Sequence, residues 1–326
     1  MGQTESMGAF NLADWDDLAA ANEWPDILLG NGASCAVSKK FAYKALYDEA
    51  SLSSHDRDIF ELLETTNFEE VLSSLAIARR VCRQLGHDHK EVKQRYQAVQ
   101  KALIKVVRKV HVDWVTVSSG STLDQIQQEL PKYRAVFSTN YDLLLYWAMM
   151  KGGPSTKVAD MFWNADLLFD PYDTENWGDK TIVYWLHGGL HLYRDEYGQT
   201  GKRVNDGGAS LLDQVLSGTP PLYVAEGPSE LKRSAIRRSE YLEHALMTFA
   251  DREEALVVLG NSLSDSDAHL LTAIKRSRKR IAYGIYPTTK VAVRLEEARI
   301  LKALHGLNVQ FFDSTTHPLA DPSLRV

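Results

Sequence analysis

The 326-residue sequence is 44% hydrophobic and 25% charged, which is typical of a globular protein and excludes a disordered chain or a peptide-sized scaffold. Its 37 Lys and Arg against 43 Asp and Glu give a net charge of -6, which excludes a general attraction for nucleic acid or anionic lipid. Two cysteines cannot form a disulfide framework or a four-thiolate zinc site, and this usage predicts a cytoplasmic protein. The most apolar run, 143–150, is far shorter than the roughly 20 residues that span a bilayer, so no membrane segment is expected.

Seven short apolar runs, rich in β-branched and aromatic residues, are predicted as strands. Helical patterns separate them, and this alternation is typical of a parallel sheet covered by helices. The predicted strands are 26–29, 135–139, 181–186, 221–225, 255–259, 280–286 and 308–312. The predicted fold is therefore α/β with a Rossmann-like parallel sheet, and residues 1–25 are an N-terminal extension before its first strand.

The stretch between the first two strands has no strand-like run and a periodicity of 3.6 residues. It carries two apolar stripes, one formed by Phe68, Val71, Leu72, Leu75 and Ala78, the other by Val92, Tyr96, Val99, Leu103, Val106 and Val110. Packing of these stripes against each other and the sheet is favoured over a dedicated groove for a partner. We therefore predict a helical insertion over 51–130 and a core made of 26–50 and 131–326.

Two groups of basic residues are interpreted as solvated. The first is expected at the end of a helix that opens near Ser264 and Asp265, where cations complement the helix dipole. It comprises Lys275, Arg276, Arg278, Lys279 and Arg280. The second is expected on the exposed face of another helix and comprises Lys232, Arg233, Arg237 and Arg238.

A glycine turn, GNGAS over 30–34, follows the first strand and precedes a helical pattern. Glycines allow backbone N–H groups to approach a phosphate at a helix N-terminus. An ordinary nicotinamide dehydrogenase is disfavoured, because Cys35 stands where the third glycine of the dinucleotide fingerprint would fall. In addition, no second strand with an acidic end follows about 20 residues later.

Polar residues follow three further strands at their carboxyl ends, the edge where parallel α/β sheets bind ligands. The second strand ends in STNYD, with Asn140 and Asp142; the third ends in WLHGG, with His187; and 255–259 runs into GNSL, beginning at Gly260. Singly, Asn140 would cap the helix that follows, Asp142 would favour its first turn, and His187 would be a satisfied edge histidine. Together they indicate a ligand site, with Asn140 and His187 at solvent-facing strand ends.

The order LLGNGAS, STNYD, LHGG and GNSL resembles that of the silent-information-regulator (sirtuin) family, over about 26–290. The resemblance implies a phosphate-binding loop formed by Gly30, Gly32, Ala33 and Ser34. It implies an adenosine-side turn formed by Gly260 and Ser262. It assigns the ribose and nicotinamide pocket to Asn140 and Asp142, and the role of general base to His187.

Sirtuin deacylases carry a zinc module with two Cys-x-x-Cys pairs, whereas Cys35 and Cys82 stand alone here. The runs NFEEVLSSL, FSTNYDLLLYWAMM and EGPSELKRSAIRRSEYL are instead similar to zinc-free bacterial sirtuin-like proteins that consume NAD in phage defence. This resemblance implies NAD as substrate, no zinc and no other cofactor. It also implies a homo-oligomer gated by an activating sensor subunit encoded nearby.

The implied activity is that of an NAD+ glycohydrolase, which releases nicotinamide through a transition state resembling an oxocarbenium ion. Asp142 would hold the nicotinamide carboxamide, Asn140 would place water, and His187, with an ordinary pKa near 6.5, would accept a proton. A non-catalytic sensor of NAD or an ADP-ribose derivative is an alternative, as is a deacylase or ADP-ribosyltransferase. No metal is expected, since neither His191 nor His269 has a second histidine or a cysteine at metal-ligand spacing.

Overall fold

Ten strands are present in the computed structural model, which describes residues 12–204, 211, 221–224 and 229–326. They are β1 (Asp26–Leu29), β2 (Ala135–Ser138), β3 (Val158–Ala159), β4 (Thr181–Trp185), β5 (Gly188–Arg194), β6 (Thr200–Lys202), β7 (Pro221–Tyr223), β8 (Leu256–Leu259), β9 (Arg280–Ile285) and β10 (Asn308–Asp313). Seven of them form one sheet in the order β10-β9-β8-β1-β2-β4-β3. All neighbours in this sheet run parallel, which confirms the α/β, Rossmann-like prediction.

The helices alternate with these strands except for one long helical stretch after β1. They are α1 (Trp15–Ala21), α2 (Asn31–Val37), α3 (Tyr43–Glu49), α4 (Ser54–Leu62), α5 (Phe68–Gln84), α6 (Lys90–Val110), α7 (Trp114–Ser119), α8 (Thr122–Glu129), α9 (Leu144–Lys151), α10 (Thr174–Trp177), α11 (Ser229–Ile236), α12 (Glu240–Asp251), α13 (Ala268–Ser277) and α14 (Lys290–Ala303). None of these helices is both long enough and apolar enough to cross a bilayer.

The register of the central strand β1 aligns the ends of the two strands beside it. All four of its residues are buried, as a strand covered on both faces requires. Its last residue, Leu29, pairs with Ser138 of β2 and with Leu259 of β8. The segments that follow β1, β2 and β8 therefore leave the sheet side by side at its carboxyl edge.

Residues 30–134, all of them described, contain helices and no strand. The two predicted stripes lie on α5 and α6, which pack against each other. Phe68, Val71, Leu72 and Leu75 are buried on α5, whereas Ala78 is exposed. Most of the α6 stripe, from Val99 onwards, is buried as well. The helical stretch is thus as expected, and the domain boundaries at 51 and 130 stay predictions.

A second, antiparallel sheet of three strands, in the order β6-β5-β7, was not predicted. The predicted strand 221–225 does not belong to the parallel sheet, because β7 pairs with β5 instead; Ala225 lies outside the described residues. Gly188 explains the local geometry. Its φ is +77°, and a Cβ there would lie 2.1 Å from the Leu222 carbonyl oxygen. This glycine therefore serves a close approach of two strands, rather than of a ligand.

The interpretation of Arg278 as part of a solvated helix end is wrong. This side chain is fully buried beyond the end of α13 and bonds the carboxylate of Asp26, the first residue of β1. Arg252 bonds the same carboxylate through Nη2 at 2.6 Å. The pairing of a buried carboxylate with two guanidinium groups offsets the desolvation of all three groups.

The described part of the N-terminal extension packs against β10, which is the edge strand at the other end of the sheet from β3. Ala13 forms a β-bridge with Phe312 of β10, and the Trp15 ring lies 5.0 Å from the Phe312 ring. The Asp14 side chain caps α1 by accepting a hydrogen bond from the Asp16 amide. Residues 1–11 of the predicted extension lie outside the described residues.

Candidate active site

A cavity of about 370 Å³ opens at the carboxyl edge of the parallel sheet, within the size range of small-molecule sites. The segments after β1, β2 and β8 form its floor through Asn31, Thr139 and Gly260. Phe68 and Glu69, from the first turn of α5, form a wall. The cavity therefore lies between the sheet edge and the helices that follow β1, where the four polar strand ends were expected to meet.

The two glycine turns pack directly against each other. The amide N–H groups of Gly30 and Gly32 donate to the carbonyl oxygens of Leu259 and Gly260, at 2.9 and 2.8 Å. A Cβ at Gly32 would lie 2.6 Å from the Cα of Gly260, and Gly260 itself has a φ of +70°. No side chain fits at this crossing. The glycines are therefore explained by the contact between β1 and β8.

This contact bears on the predicted phosphate loop. The Ala33 amide donates to the Gly30 carbonyl, so three of the four expected loop residues have amides already engaged. Ala33 and Ser34 are buried on α2, and the Ser262 carbonyl accepts a hydrogen bond from Arg299. Phosphate binding by Gly30, Gly32, Ala33 and Ser34 stays a prediction, and so does the adenosine-side turn formed by Gly260 and Ser262.

Asn140 and Asp142 are joined through Ser34. The Ser34 hydroxyl donates to Oδ2 of Asp142 at 2.5 Å and accepts from Nδ2 of Asn140 at 2.9 Å. The other carboxylate oxygen of Asp142 accepts from the amide of Leu144, the first residue of α9, at 2.9 Å. Asn140 does not cap this helix, because the N-cap position is Leu143, which has no side-chain cap. The network fixes Asp142 at the cavity with both oxygens hydrogen-bonded.

The Asn140 side chain has one atom left for a ligand. Its Oδ1 is buried and has no hydrogen-bond partner among the described residues, although such atoms are usually paired. Because the amide nitrogen is already held by Ser34, the orientation of this amide is set. Asn140 as a residue lines the cavity, and its side-chain oxygen is an acceptor without a partner among the described residues.

Cys35, in the place of a third glycine, faces the same cavity. Burial, and then the nearby charge of Asp142, raise the pKa of its thiol to about 11. A thiol is nucleophilic as its thiolate, so this residue is unsuited to covalent catalysis near neutral pH.

His187 lines the cavity but is not at a solvent-facing strand end, so that expectation is wrong. Only 1% of the residue is exposed, and its Nε2 lies 3.0 Å from Nε2 of His269. Burial lowers the pKa of His187 well below 6.5, and the charge of Lys232 lowers it further. The imidazole is therefore neutral near pH 7, rather than poised at its ordinary pKa.

The basic residue Lys232 is not on a solvated face, and this correction changes the site. Its side chain is fully buried on α11, and its Nζ bonds Glu69 Oε2 and Asp267 Oδ1, each at 2.9 Å. Burial opposes the charge of Lys232, but the two carboxylates raise its pKa above the usual range. The ammonium therefore stays charged, clamped between α5 and the turn before α13.

Glu69, Lys232, Asp267 and His269 were not predicted as site residues. Glu69 and Asp267 lie at helix starts, where acidic residues are common for a local reason. The one available signal was that Lys232 lies four residues before Ile236, on the same helix face, and Ile236 is buried. A buried ammonium group is costly unless it is paired, so a basic residue on a buried helix face predicts a carboxylate partner.

His269 has no metal-ligand partner at suitable spacing in the sequence, but the fold brings His187 and Asp267 close to it. The ligand atoms of these three residues lie within 4.8 Å of one another. However, the Lys232 ammonium bonds Oδ1 of Asp267, which places a fixed positive charge beside any cation there. His191 stacks on Tyr146 at 4.7 Å between ring centroids and is not part of the cavity lining.

The comparison with protein families matches most of this chain. The family model described as "Domain of unknown function (DUF4917)" covers residues 27–319. The chain belongs to this family. The DUF4917 range begins within β1 and ends after β10, so every residue of the site described above lies inside it. No curated protein matches the chain.

Proposed function

We propose that this protein is an NAD+ glycohydrolase that cleaves NAD+ to nicotinamide and ADP-ribose. The observation that carries the proposal is the meeting of Asn140, Asp142 and His187 at one cavity on the carboxyl edge of a Rossmann-like sheet. The sequence resemblance to zinc-free sirtuin-like proteins supplies the substrate. Membership in a family of unknown function neither adds to this assignment nor opposes it.

The reaction needs a cavity that favours a developing cation and places one water. The bond between the ribose anomeric carbon and nicotinamide breaks, and its electron pair neutralises the pyridinium nitrogen. Water adds to the anomeric carbon and gives up a proton. Asn140 Oδ1 is the acceptor that would hold this water, and Asp142 would hold the nicotinamide carboxamide, as the resemblance implies.

His187 would take the proton from water or from a ribose hydroxyl. Its lowered pKa keeps the imidazole neutral, and hence able to accept, throughout the physiological range. A lowered pKa also makes the base weaker, so its contribution is expected at the low end of the 10²–10⁴-fold range for general bases. Since the leaving group is neutral after departure, no general acid is required.

The experiment incubates the purified protein, alone and with the products of neighbouring genes, with NAD+ and measures free nicotinamide. Asn140→Ala should reduce release by about a hundredfold. Asn308→Ala is the matched control, because Asn308 is exposed on β10 and remote from the cavity. Equal circular dichroism and melting of the two variants would separate loss of chemistry from loss of fold.

A non-catalytic sensor of NAD or an ADP-ribose derivative is the second candidate. The near-complete burial of His187, with Nε2 engaged by His269, favours binding without turnover. Calorimetry with NAD+ and ADP-ribose distinguishes the two functions. Micromolar binding without nicotinamide release, under every activating condition, would favour the sensor.

We further propose that the activity is gated through α5 in an antiviral effector that works as a homo-oligomer with a sensor subunit. Glu69 on α5 bonds Lys232, and the Tyr141 hydroxyl donates to Glu69 Oε1 at 3.1 Å. A contact that shifts α5 would therefore reshape the cavity. A bias of about 3 kcal/mol would change the active fraction more than a hundredfold.

Nicotinamide release across protein concentration, paired with light scattering, tests the gate. The isolated monomer should be nearly silent, and activity should rise with assembly or with the sensor subunit. Full activity in a dilute monomer would contradict it.

A further inference from the structure

A second histidine, 82 residues later in the sequence, contacts the His187 ring. His269, on the first turn of α13, places Nε2 at 3.0 Å from Nε2 of His187. Its other ring nitrogen, Nδ1, lies 3.2 Å from the hydroxyl oxygen of Ser229, the first residue of α11. The three side chains form a chain of hydrogen bonds that begins at the cavity and ends at Ser229.

The number of protons on the two rings limits which residue donates in each of these hydrogen bonds. Burial lowers the pKa of His269 to about 4 and that of His187 well below 6.5, so both rings are neutral near pH 7. A neutral imidazole carries one N–H. The contact between the two Nε2 atoms therefore holds one proton, either on His187 or on His269.

Only one of the two arrangements leaves a base at the cavity. If His269 donates from Nε2, the proton of His187 must sit on its Nδ1, and His187 has no lone pair left for a substrate. If His187 donates from Nε2, its Nδ1 is an acceptor with no other hydrogen-bond partner in the described part of the chain. The proton of His269 then lies on Nδ1 and points to the Ser229 hydroxyl, which can accept it.

The charged groups around the pair are compatible with this arrangement. Asp267 Oδ1 lies 3.8 Å from His187 Nε2, on the side where the second arrangement places the proton. Lys232 bonds the same carboxylate oxygen, and Glu69 bonds Lys232 in turn. The charge of Arg233 also acts on His269. The ring nitrogens of the two histidines form no direct hydrogen bond with these charged groups, and the contact at 3.8 Å between His187 Nε2 and Asp267 Oδ1 is too long to be one.

We propose that His269, held by Ser229, is a positioning residue that fixes the ring and the tautomer of His187 and leaves His187 Nδ1 to accept the substrate proton. This proposal rests on the proposed function. In the reaction, an O–H bond of water or a ribose hydroxyl breaks, and an N–H bond forms at His187 Nδ1. The proton on His187 Nε2 can then move to His269 Nε2, while His269 Nδ1–H keeps donating to the Ser229 hydroxyl, so the positive charge is shared between the two buried rings.

The first test reads the tautomers without reference to turnover. Nitrogen-15 NMR of histidine-labelled protein at pH 7 assigns the two rings through the His187→Gln and His269→Gln spectra. The expected result is an Nε2–H tautomer for His187 and an Nδ1–H tautomer for His269. The opposite pair of tautomers would overturn the proposal, whether or not the protein cleaves NAD+.

The second test separates positioning from catalysis in the full chain under activating conditions. His269→Leu should lower kcat for nicotinamide release by about 10- to 100-fold, with KM for NAD+ changed less than about threefold. His269→Asn, whose amide can still contact His187, should recover part of that loss. Ser229→Ala should cost less than His269→Leu, and His305→Ala, at an exposed position, should cost nothing.

The pH profile supplies a readout that a purely structural role would not move. Because the charge that His269 gains on protonation at low pH lowers the pKa of His187, removal of His269 should shift the acid limb of kcat/KM to higher pH. Unchanged kcat and an unchanged acid limb in His269→Leu would overturn the proposal while leaving the glycohydrolase intact. One zinc per chain that is lost in His269→Leu would also overturn it, by making His269 a metal ligand.

Discussion

The two ends of the parallel sheet each bury a charge cluster, and in the described part of the chain only the cluster at the carboxyl end contributes residues to the candidate active site. At the amino end, Asp26 of β1 is bonded by Arg252 and Arg278. At the carboxyl end, Lys232 is bonded by Glu69 and Asp267, and both carboxylates line the 370 Å³ cavity. The same chemistry thus ties helices to the sheet at one end and shapes a site at the other. Burial alone does not distinguish a structural ion pair from a functional one; the neighbouring space does.

Removing the central cation should have the largest effect on stability at the carboxyl end. Lys232→Met leaves two buried carboxylates facing each other and should lower the free energy of unfolding by about 3–5 kcal/mol. Arg278→Met should cost less, because Asp26 keeps Arg252. Urea unfolding followed by circular dichroism measures both losses.

Activity per folded molecule sharpens the same comparison. Arg278→Met should leave nicotinamide release unchanged, whereas Lys232→Met should reduce it at least tenfold, since α5 loses its bond across the cavity. A loss of activity in Arg278→Met that exceeds its loss of folded protein would contradict the division between the two ends.

The sequence predicted what depends on local pattern. The apolar runs at 26–29 and 135–139 form buried strands, as predicted. The apolar residues from Phe68 to Leu75 recur at helical spacing and form the buried face of a helix, because each pattern places its apolar side chains in the core. The relation of Lys232 to Glu69 joins residues 163 positions apart, and no periodicity encodes such a pair. His269 was missed for the same reason. The close approach of Gly188 to the backbone of β7 was not predicted either, because only the folded chain brings the two strands together.

Buried histidines at the two ends should respond alike to acid. Burial lowers the pKa of His269 to about 4 and that of His317, which bonds Tyr133 near the amino end, to about 3. The unfolded chain binds these protons near pH 6.5, so the free energy of unfolding should fall as pH falls below that value. His269→Leu and His317→Phe should each reduce this decline, by about 2 kcal/mol between pH 7 and pH 5.

Unfolding in urea at pH 7 and pH 5 tests this acid response, and only His269→Leu should also change nicotinamide release. Identical pH dependence in wild type and both variants would show that the two histidines titrate normally in the folded state.

The smallest effect is expected at Cys35. With its pKa raised to about 11, the thiol should react with iodoacetamide at pH 8 more slowly than an unperturbed cysteine. Cys35→Ser should keep nicotinamide release within about twofold of wild type, because the thiol takes no part in the proposed chemistry. Peptide mapping by mass spectrometry, with Cys82 as the internal reference, measures the reaction. A rapidly labelled Cys35 whose substitution abolishes turnover would point to covalent catalysis.

The central claim is that the carboxyl edge of this sheet hydrolyses NAD+, and release of nicotinamide from NAD+ tests it most directly. Wild-type protein, with and without the products of neighbouring genes, is compared with Asn140→Ala and Asn308→Ala at equal folded concentration. The account predicts release of nicotinamide and ADP-ribose in equal amounts by wild type and Asn308→Ala, and a loss of about a hundredfold in Asn140→Ala. Equal turnover in Asn140→Ala, or no turnover by the wild type under any of these conditions, would contradict it.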